Sequence, residues 1–173
     1  MKEQKSWLLI VMIIAFFLSI VMSLISTVAL ENVSLIIAIL ITFIFIIIGI
    51  IFDTIGVAVT SGDITVFNSM SSRKIKSGKI GVYLIKNASK VSSICCDVIG
   101  DVCGIVSGAC GAIIVTIITE KTNYNSLVIA VLVSAIISSL TIGGKAAEKS
   151  YAMAESTKII KMVSSVLSIF KRK

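Results

Sequence analysis

Acidic residues inside apolar stretches are the part of this sequence most able to do chemistry. Asp97 and Asp101 lie within the stretch Ser92–Thr119, which is long enough to cross a membrane. Residues four apart share one face of an α-helix, so the two carboxylates are expected about one turn from each other. An ionisable residue in a spanning helix usually faces the bundle interior or a water-filled cavity. The sequence therefore predicts a buried partner for this pair.

A third acid, Asp53, lies in a second apolar stretch. Apolar residues such as Ile55 and Val59 follow it before the chain becomes polar at Thr60. The helical rise per residue places Asp53 roughly two turns inside this stretch. A solvated aspartate at the end of a helix is the simpler alternative.

Small residues follow the same helix as the acid pair. Gly100, Gly104 and Gly108 form a small-xxx-small stripe, a pattern that lets another helix approach closely. Gly104→Leu is therefore expected to disturb helix packing. Gly62→Leu is expected to matter less, because Gly62 lies in a predicted loop, unless that glycine needs a positive φ.

The remaining reactive side chains do not form a catalytic or metal-binding pattern. The chain has four cysteines and no histidine. Cys96, Cys103 and Cys110 are seven apart along one helix face, and small apolar packing is their expected role. Zinc-ligand spacing, a Ser-His or Cys-His couple and a phosphate loop are all missing from the sequence. We therefore expect a protein that is not an enzyme.

The whole chain has the composition of a membrane protein. Hydrophobic residues make up 57% of the 173 residues, mean hydropathy is +1.09, and there is no proline. Apolar runs of about 20 residues are typical of transmembrane helices. We predict an all-α integral membrane protein, a single domain over 1–173, with four spans at about 7–30, 33–60, 92–119 and 126–144.

Two basic segments, 64–91 and 146–171, are expected to lie at the membrane surface. Apolar and basic residues alternate in both, as in helices of the head-group region. Gly78 and Gly81 are expected to break the first segment into two short helices. A solvated loop is the alternative for that segment. The net charge of +7 favours the lipid bilayer and its anionic head groups as partners, and no nucleic acid.

The basic residues also predict the topology. They cluster at the N-terminus (Lys2, Lys5), in 64–91 and from Lys145 onwards, and only Lys121 falls in a predicted outer turn. Basic residues near spans favour the cytoplasmic side. We expect a multi-pass protein of the cell membrane with both termini cytoplasmic.

The order of these elements resembles a known transporter domain. A span carries Phe52–Ser61, two short basic helices follow, the next span carries Ser92-Ser93 and Ile99–Asp101, and the last ends in Gly144–Lys149. This order resembles the transmembrane domain of the CorC/CorB and cyclin-M family, implicated in magnesium and cobalt efflux. The resemblance covers about Ile48 to Phe170, without the family's cytoplasmic nucleotide-sensing domains, and the first span looks like an addition.

The resemblance implies a site for a divalent cation. In the family a serine, an asparagine and a glutamate surround a partly dehydrated magnesium ion, and these positions fall here on Asp53, Asp101 and Lys145. The family's Pro-Lys pair falls on Glu148-Lys149. Asp53 and Asp101 are thus implied as ligands of Mg²⁺, with Asp97 one turn away as an outer-shell acid. The family's dimers imply a homodimer, which Gly104 and Gly108 would allow.

The departures from the family pattern define the alternative. Two neutral ligands have become carboxylates and the anionic ligand has become Lys145, whose ammonium group a divalent cation repels. Lys145 could therefore replace the ion and neutralise Asp53 and Asp101 as a counter-ion. The chain would then be a non-transporting membrane scaffold or partner subunit. Other membrane roles, such as immunity to a small toxin, are also open.

Overall fold

A computed structural model describes residues 2–29, 33–122 and 124–170, and these residues form helices without any strand. Glu31-Asn32, Asn123 and the basic Lys171-Arg172-Lys173 lie outside the described residues. The α-helices are α1 (Lys2–Ala29), α2 (Leu35–Ser61), α3 (Ile64–Ser72), α4 (Lys76–Lys86), α5 (Ala88–Ser92), α6 (Asp101–Lys121), α7 (Ser126–Ala154) and α8 (Ser156–Phe170), with a π-helix over Ser93–Gly100 between α5 and α6.

Four helical segments are long and apolar enough to cross a membrane, as the sequence predicted. They are Ser6–Val28, Leu35–Ser61, Ala88–Lys121 and Ser126–Ala154. Large apolar side chains on them are exposed, including Val28, Ile36, Leu127 and Ile142. An exposed apolar surface of this extent is typical of a membrane or protein contact surface. α2 is helical although it is rich in β-branched residues, which are poor helix formers in water.

The described chain divides into two compact units. The first comprises 1–50 and 98–144, and the second comprises 51–97 and 145–173. In the first, α1 packs on α6, and buried Phe45, Val106 and Ile114 form part of the core. Cys103 and Cys110 are buried in the same core, so both act as apolar packing residues.

The second unit is built on the short helices. α3 packs on α4, and α4 packs on α8, around buried Phe67, Leu84 and Ile160. The hydroxyl of Ser156, at the start of α8, donates a 3.5 Å hydrogen bond to the carbonyl oxygen of Ser61. This bond satisfies one of the carbonyls left without a partner at the end of α2.

The break between α3 and α4 differs from the prediction. Gly78 and Gly81 do not interrupt a helix; both are buried inside α4. The chain turns instead just before α4, where Lys74 has a φ of 60°. A Cβ on Gly78 would lie 2.6 Å from the Ser71 nitrogen, and one on Gly81 would overlap the Phe67 ring. The two glycines allow α3 and α4 to come into contact. The sequence-based prediction treated glycine only as a helix breaker and did not include this role.

The third apolar segment is not α-helical throughout. Ser93–Gly100 is a π-helix, whose hydrogen bonds join residues five apart instead of four. Asp97 lies in this π-helix, and Asp101 is the first residue of α6. The prediction that Asp97 and Asp101 share one helix face assumed α-helical geometry, which does not apply between them. π-helical turns are rare and often occur at functional sites.

α7 is longer than the predicted last span. It continues beyond Gly144 to Ala154, so Lys145 and Glu148 belong to the same helix as the apolar residues before them. Glycine inside a helix costs about 1 kcal/mol relative to alanine, which a long packed helix tolerates. Gly144 also has a packing role, because a Cβ there would overlap the side chain of Ile50.

Candidate functional site

Polar side chains from α2 and α7 meet in the second unit. Asp53 and Thr54 come from α2, and Glu148 comes from α7. The carboxyl group of Glu148 lies close enough to Thr54 and Asp53 for both side chains to interact with it. Two acids and a hydroxyl group are thus brought together although they are far apart in the sequence.

Glu148 is the most unusual member of this group. Both of its carboxylate oxygens are buried, and neither has a hydrogen-bond partner of good geometry. Thr54 and Asp53 are the side chains that interact with it. A buried carboxyl group without partners is costly, and native structures contain few of them.

Lys145 stands beside this acid. It lies one helical turn before Glu148 on α7, and its charge acts on the Glu148 carboxyl group. The lysine is half-buried. The alternative hypothesis had Lys145 neutralising Asp53 and Asp101, whereas the acid beside it in the structure is Glu148.

The π-helix packs against α2 next to the acids. A Cβ on Gly56 would overlap the Cys96 sulfur, so the two helices approach closely there. The Cys96 thiol lies 3.6 Å from the backbone carbonyl oxygen of Asp53 and donates a hydrogen bond to it. The Ser92 hydroxyl also lies 3.6 Å from the Cys96 sulfur. These contacts fix the turn of α2 that carries Asp53.

The other predicted acids lie elsewhere in the two units. Asp97 belongs to the second unit, and Asp101 belongs to the first. Both are exposed residues. Among the residues that the structure describes, no three His, Cys, Asp or Glu side chains are grouped so as to hold a metal ion. Oxygen ligands for an ion would have to include Thr54 or water.

The glycine stripe lies in the first unit. Gly100 is buried, and its carbonyl oxygen would be 3.3 Å from a Cβ on Gly49. Gly104 and Gly108 have open space where a Cβ would point. Together with Ser134, Ser138 and Thr141 they line a groove of about 370 Å³. Among the described residues, an added Cβ at Gly104 therefore meets no atom within 4 Å.

Glu148 is the residue that sequence reasoning missed. The resemblance had assigned its position to a proline, and the last span was expected to end at Gly144. The signal was nevertheless present, because Lys145 and Glu148 are three apart and share a helix face. Without a proline to end the helix, this face continues directly from the apolar span.

The four long apolar helices support a helical membrane protein and are compatible with a multi-pass arrangement. No model of a known protein family, no curated protein and no solved structure matches this chain.

Proposed function

We propose that this protein binds a divalent cation at Asp53, Thr54 and Glu148, as a magnesium or cobalt transport domain of the CorC/CorB type. The observation that carries the proposal is the buried Glu148 carboxylate, whose oxygens lack hydrogen-bond partners beside a second acid. Two neighbouring carboxylates repel each other unless a proton or a cation reduces their charge. A hard cation that takes oxygen ligands would satisfy both.

The ligand set suits Mg²⁺ better than an ion that needs a full cage of protein ligands. Mg²⁺ is usually held by one or two carboxylates and keeps several waters. Asp53 and Glu148 supply two carboxylates, and Thr54 supplies a hydroxyl. In the proposed mechanism these groups replace part of the hydration shell, and Asp97, in the same unit, is a further acid for the ion.

The proposed orientation places this site near the cytoplasmic side of the cell membrane. Asp53 lies about 27 Å along α2 from Leu35, by the rise of 1.5 Å per residue. The hydrocarbon core is about 30 Å thick. With both termini cytoplasmic, α2 enters from the outer face, and Asp53 lies close to the inner boundary. α3, α4 and α8 are then juxtamembrane helices, and two copies associate through the groove at Gly104 and Gly108.

A scaffold function is the second candidate, and Lys145 favours it. The lysine lies one turn from Glu148, and its charge acts on that carboxyl group. One ammonium group beside two carboxylates would lower their net charge from −2 to −1 and so weaken the attraction for a cation. The acids and the lysine would then hold helices together, and the protein would serve as a partner subunit without transporting an ion.

Thermal unfolding of the purified chain across a magnesium series separates the two candidates. A ligand that binds the folded state stabilises it by about 2.7 kcal/mol at a hundredfold excess over its dissociation constant. We expect MgCl₂ to raise the melting temperature above that in choline chloride of equal ionic strength. Glu148→Gln should abolish this difference, and Asp53→Asn should reduce it. Asp63→Asn, at an exposed acid of the same unit, should leave it unchanged.

Lys145→Glu gives the decisive contrast. If the site binds an ion, this variant adds a carboxylate and should strengthen the response to magnesium. A wild type indifferent to magnesium, together with a Lys145→Glu protein that unfolds early and is rescued by magnesium, would overturn transport and favour the scaffold. Flux into proteoliposomes, followed with a trapped magnesium-sensitive dye, then tests whether binding leads to transport.

A further inference from the structure

A groove between α4 and α8 is separate from the acids of the candidate site. It has a volume of about 590 Å³, within the range of about 300–1,000 Å³ that is typical of sites for small molecules. Its apolar wall is formed by Ile80 and Leu84 of α4 and by Leu167 of α8. Leu167 is 41% exposed, so it offers apolar contact area to an occupant.

The polar side chains described at the rim of the groove are two lysines, a tyrosine and a serine. Lys76 and Lys79 lie one turn apart on α4 and both line it, with Tyr83 and Ser168 as the other polar side chains. Both lysines are exposed. Neither forms an ion pair with any residue in the described part of the chain. Among the described residues that line the groove none is acidic, so the positive charge of the two lysines is not balanced there.

Two further features suit an anionic group that carries an apolar chain. α4 begins at Lys76 without a side-chain cap, so the positive end of its dipole adds to the charge of the two lysines. Tyr83 is 65% exposed beside them, and tyrosine is enriched where a membrane meets water. Lysine stems can lie along the apolar wall while their ammonium groups reach the head-group region.

We propose that this groove is a discrete binding site for one anionic phospholipid. The ammonium groups of Lys76 and Lys79 bind the phosphate, and an acyl chain lies along Ile80, Leu84 and Leu167. The inference goes beyond cation transport, and it also goes beyond a general attraction of basic residues to the membrane surface. A phospholipid is favoured over a free phosphate because the wall is apolar, and over an acidic peptide because the groove belongs to helices that lie beside apolar spans.

Native mass spectrometry of the full chain in a non-ionic detergent tests the site. The delipidated protein is titrated with phosphatidylglycerol, and the bound lipid molecules are counted. We expect one tightly bound lipid. Lys76→Gln combined with Lys79→Gln should weaken it roughly fivefold per lysine, the usual contribution of a basic residue near an anionic membrane surface. Leu167→Gln should weaken it as well, because the acyl contact is lost.

A matched control distinguishes the groove from diffuse attraction. Lys86→Gln combined with Lys161→Gln removes the same charge from two exposed lysines of the same unit that do not line the groove. This variant should bind like the wild type. Equal losses in the two double variants would overturn the proposal. So would equally tight binding of phosphatidylcholine, or displacement of the lipid by equal concentrations of inorganic phosphate or a hexaglutamate peptide.

Discussion

At the scale of single residues, glycines determine how closely helices approach within each unit, because glycine has no Cβ atom. Gly78 contacts the backbone of α3, and Gly81 contacts the ring of Phe67. Gly62 is enclosed too, because a Cβ there would overlap the side chain of Ile160, and its φ is not positive. Gly104 is open. Within one chain, the steric constraint therefore falls on Gly62 rather than on Gly104, the reverse of the order that the sequence suggested.

Gly78→Ala is expected to destabilise the second unit. The new Cβ would meet backbone atoms of Ser71 and Met70 at 2.6 and 2.7 Å, and a backbone cannot move aside as a flexible side chain can. Overpacking of this kind costs about 1–3 kcal/mol. Thermal unfolding in detergent measures the loss.

Gly143→Ala is the matched control for this substitution. Gly143 also lies within a helix, but a Cβ there meets nothing within 4 Å. Alanine should therefore leave stability unchanged or raise it by about 0.5–1 kcal/mol, because glycine is the poorer helix former. Equal melting of the two variants would contradict the close contact between α3 and α4.

At the scale of elements, α3 depends on the residue that precedes it. Asp63 is the N-cap, and its carboxylate accepts hydrogen bonds from the Thr65 hydroxyl at 2.7 Å and the Thr65 backbone N–H at 2.8 Å. These two bonds, the one from the hydroxyl first, lower the pKa of Asp63 below its ordinary value of 3.8. The cap holds the start of α3, and α3 packs closely against Gly78 and Gly81 of α4.

Replacing this cap should loosen α3 without unfolding the spans. Asp63→Ala removes both acceptors, whereas Asp63→Asn keeps one and is also a good N-cap. We expect faster hydrogen exchange of the α3 amides in Asp63→Ala and little change in Asp63→Asn. Exchange that is equally slow in both variants would mean that packing on α4 alone holds the helix.

The pH dependence of the cap follows from the direction of the pKa shift. Because folding lowers the pKa of Asp63, the capping contribution is complete above the ordinary value of 3.8 and is lost as pH falls through the folded pKa. Asp63→Asn lacks this titration. The stability of the wild type relative to Asp63→Asn should therefore decline below about pH 4, as measured by thermal unfolding at a series of pH values.

At the scale of the whole molecule, the charges are distributed very unevenly along the chain. Six basic residues lie in 64–91 and seven follow from Lys145 onwards, which together make up most of the 16. Both segments belong to the second unit. The first unit contains few basic residues by comparison. This asymmetry is the basis of the proposed orientation.

Accessibility of single cysteines tests that orientation. In a background with the four native cysteines replaced by alanine, Ser72→Cys should be shielded from an impermeant thiol reagent in intact cells. Tyr124→Cys should react, because Tyr124 lies in the proposed outer turn and is 76% exposed. Labelling of Ser72→Cys with protection of Tyr124→Cys would reverse the topology. Permeabilised cells, in which both should react, provide the control.

The sequence by itself determined the helical class, the number of spans and the amphipathic character of α4 and α8. These properties depend on the local order of apolar and polar residues, because a backbone in lipid has few ways to satisfy its hydrogen bonds. The sequence also predicted a site formed by Asp53, Asp101 and Lys145, which stays a prediction. The family resemblance could not identify Glu148, because the family has a proline at that position and this chain contains no proline.

Only the tertiary structure decided which residues meet. Glu148 faces Asp53 and Thr54 because α7 continues past Gly143 and Gly144, although glycine often marks the end of a helix. The π-helix changes the rotation about the helix axis between Asp97 and Asp101. A hydropathy pattern could not predict this, because it does not distinguish π-helical from α-helical hydrogen bonds. Gly78 and Gly81 serve contact rather than a turn for a similar reason: the α3 surface that needs them exists only after the chain has folded back on itself.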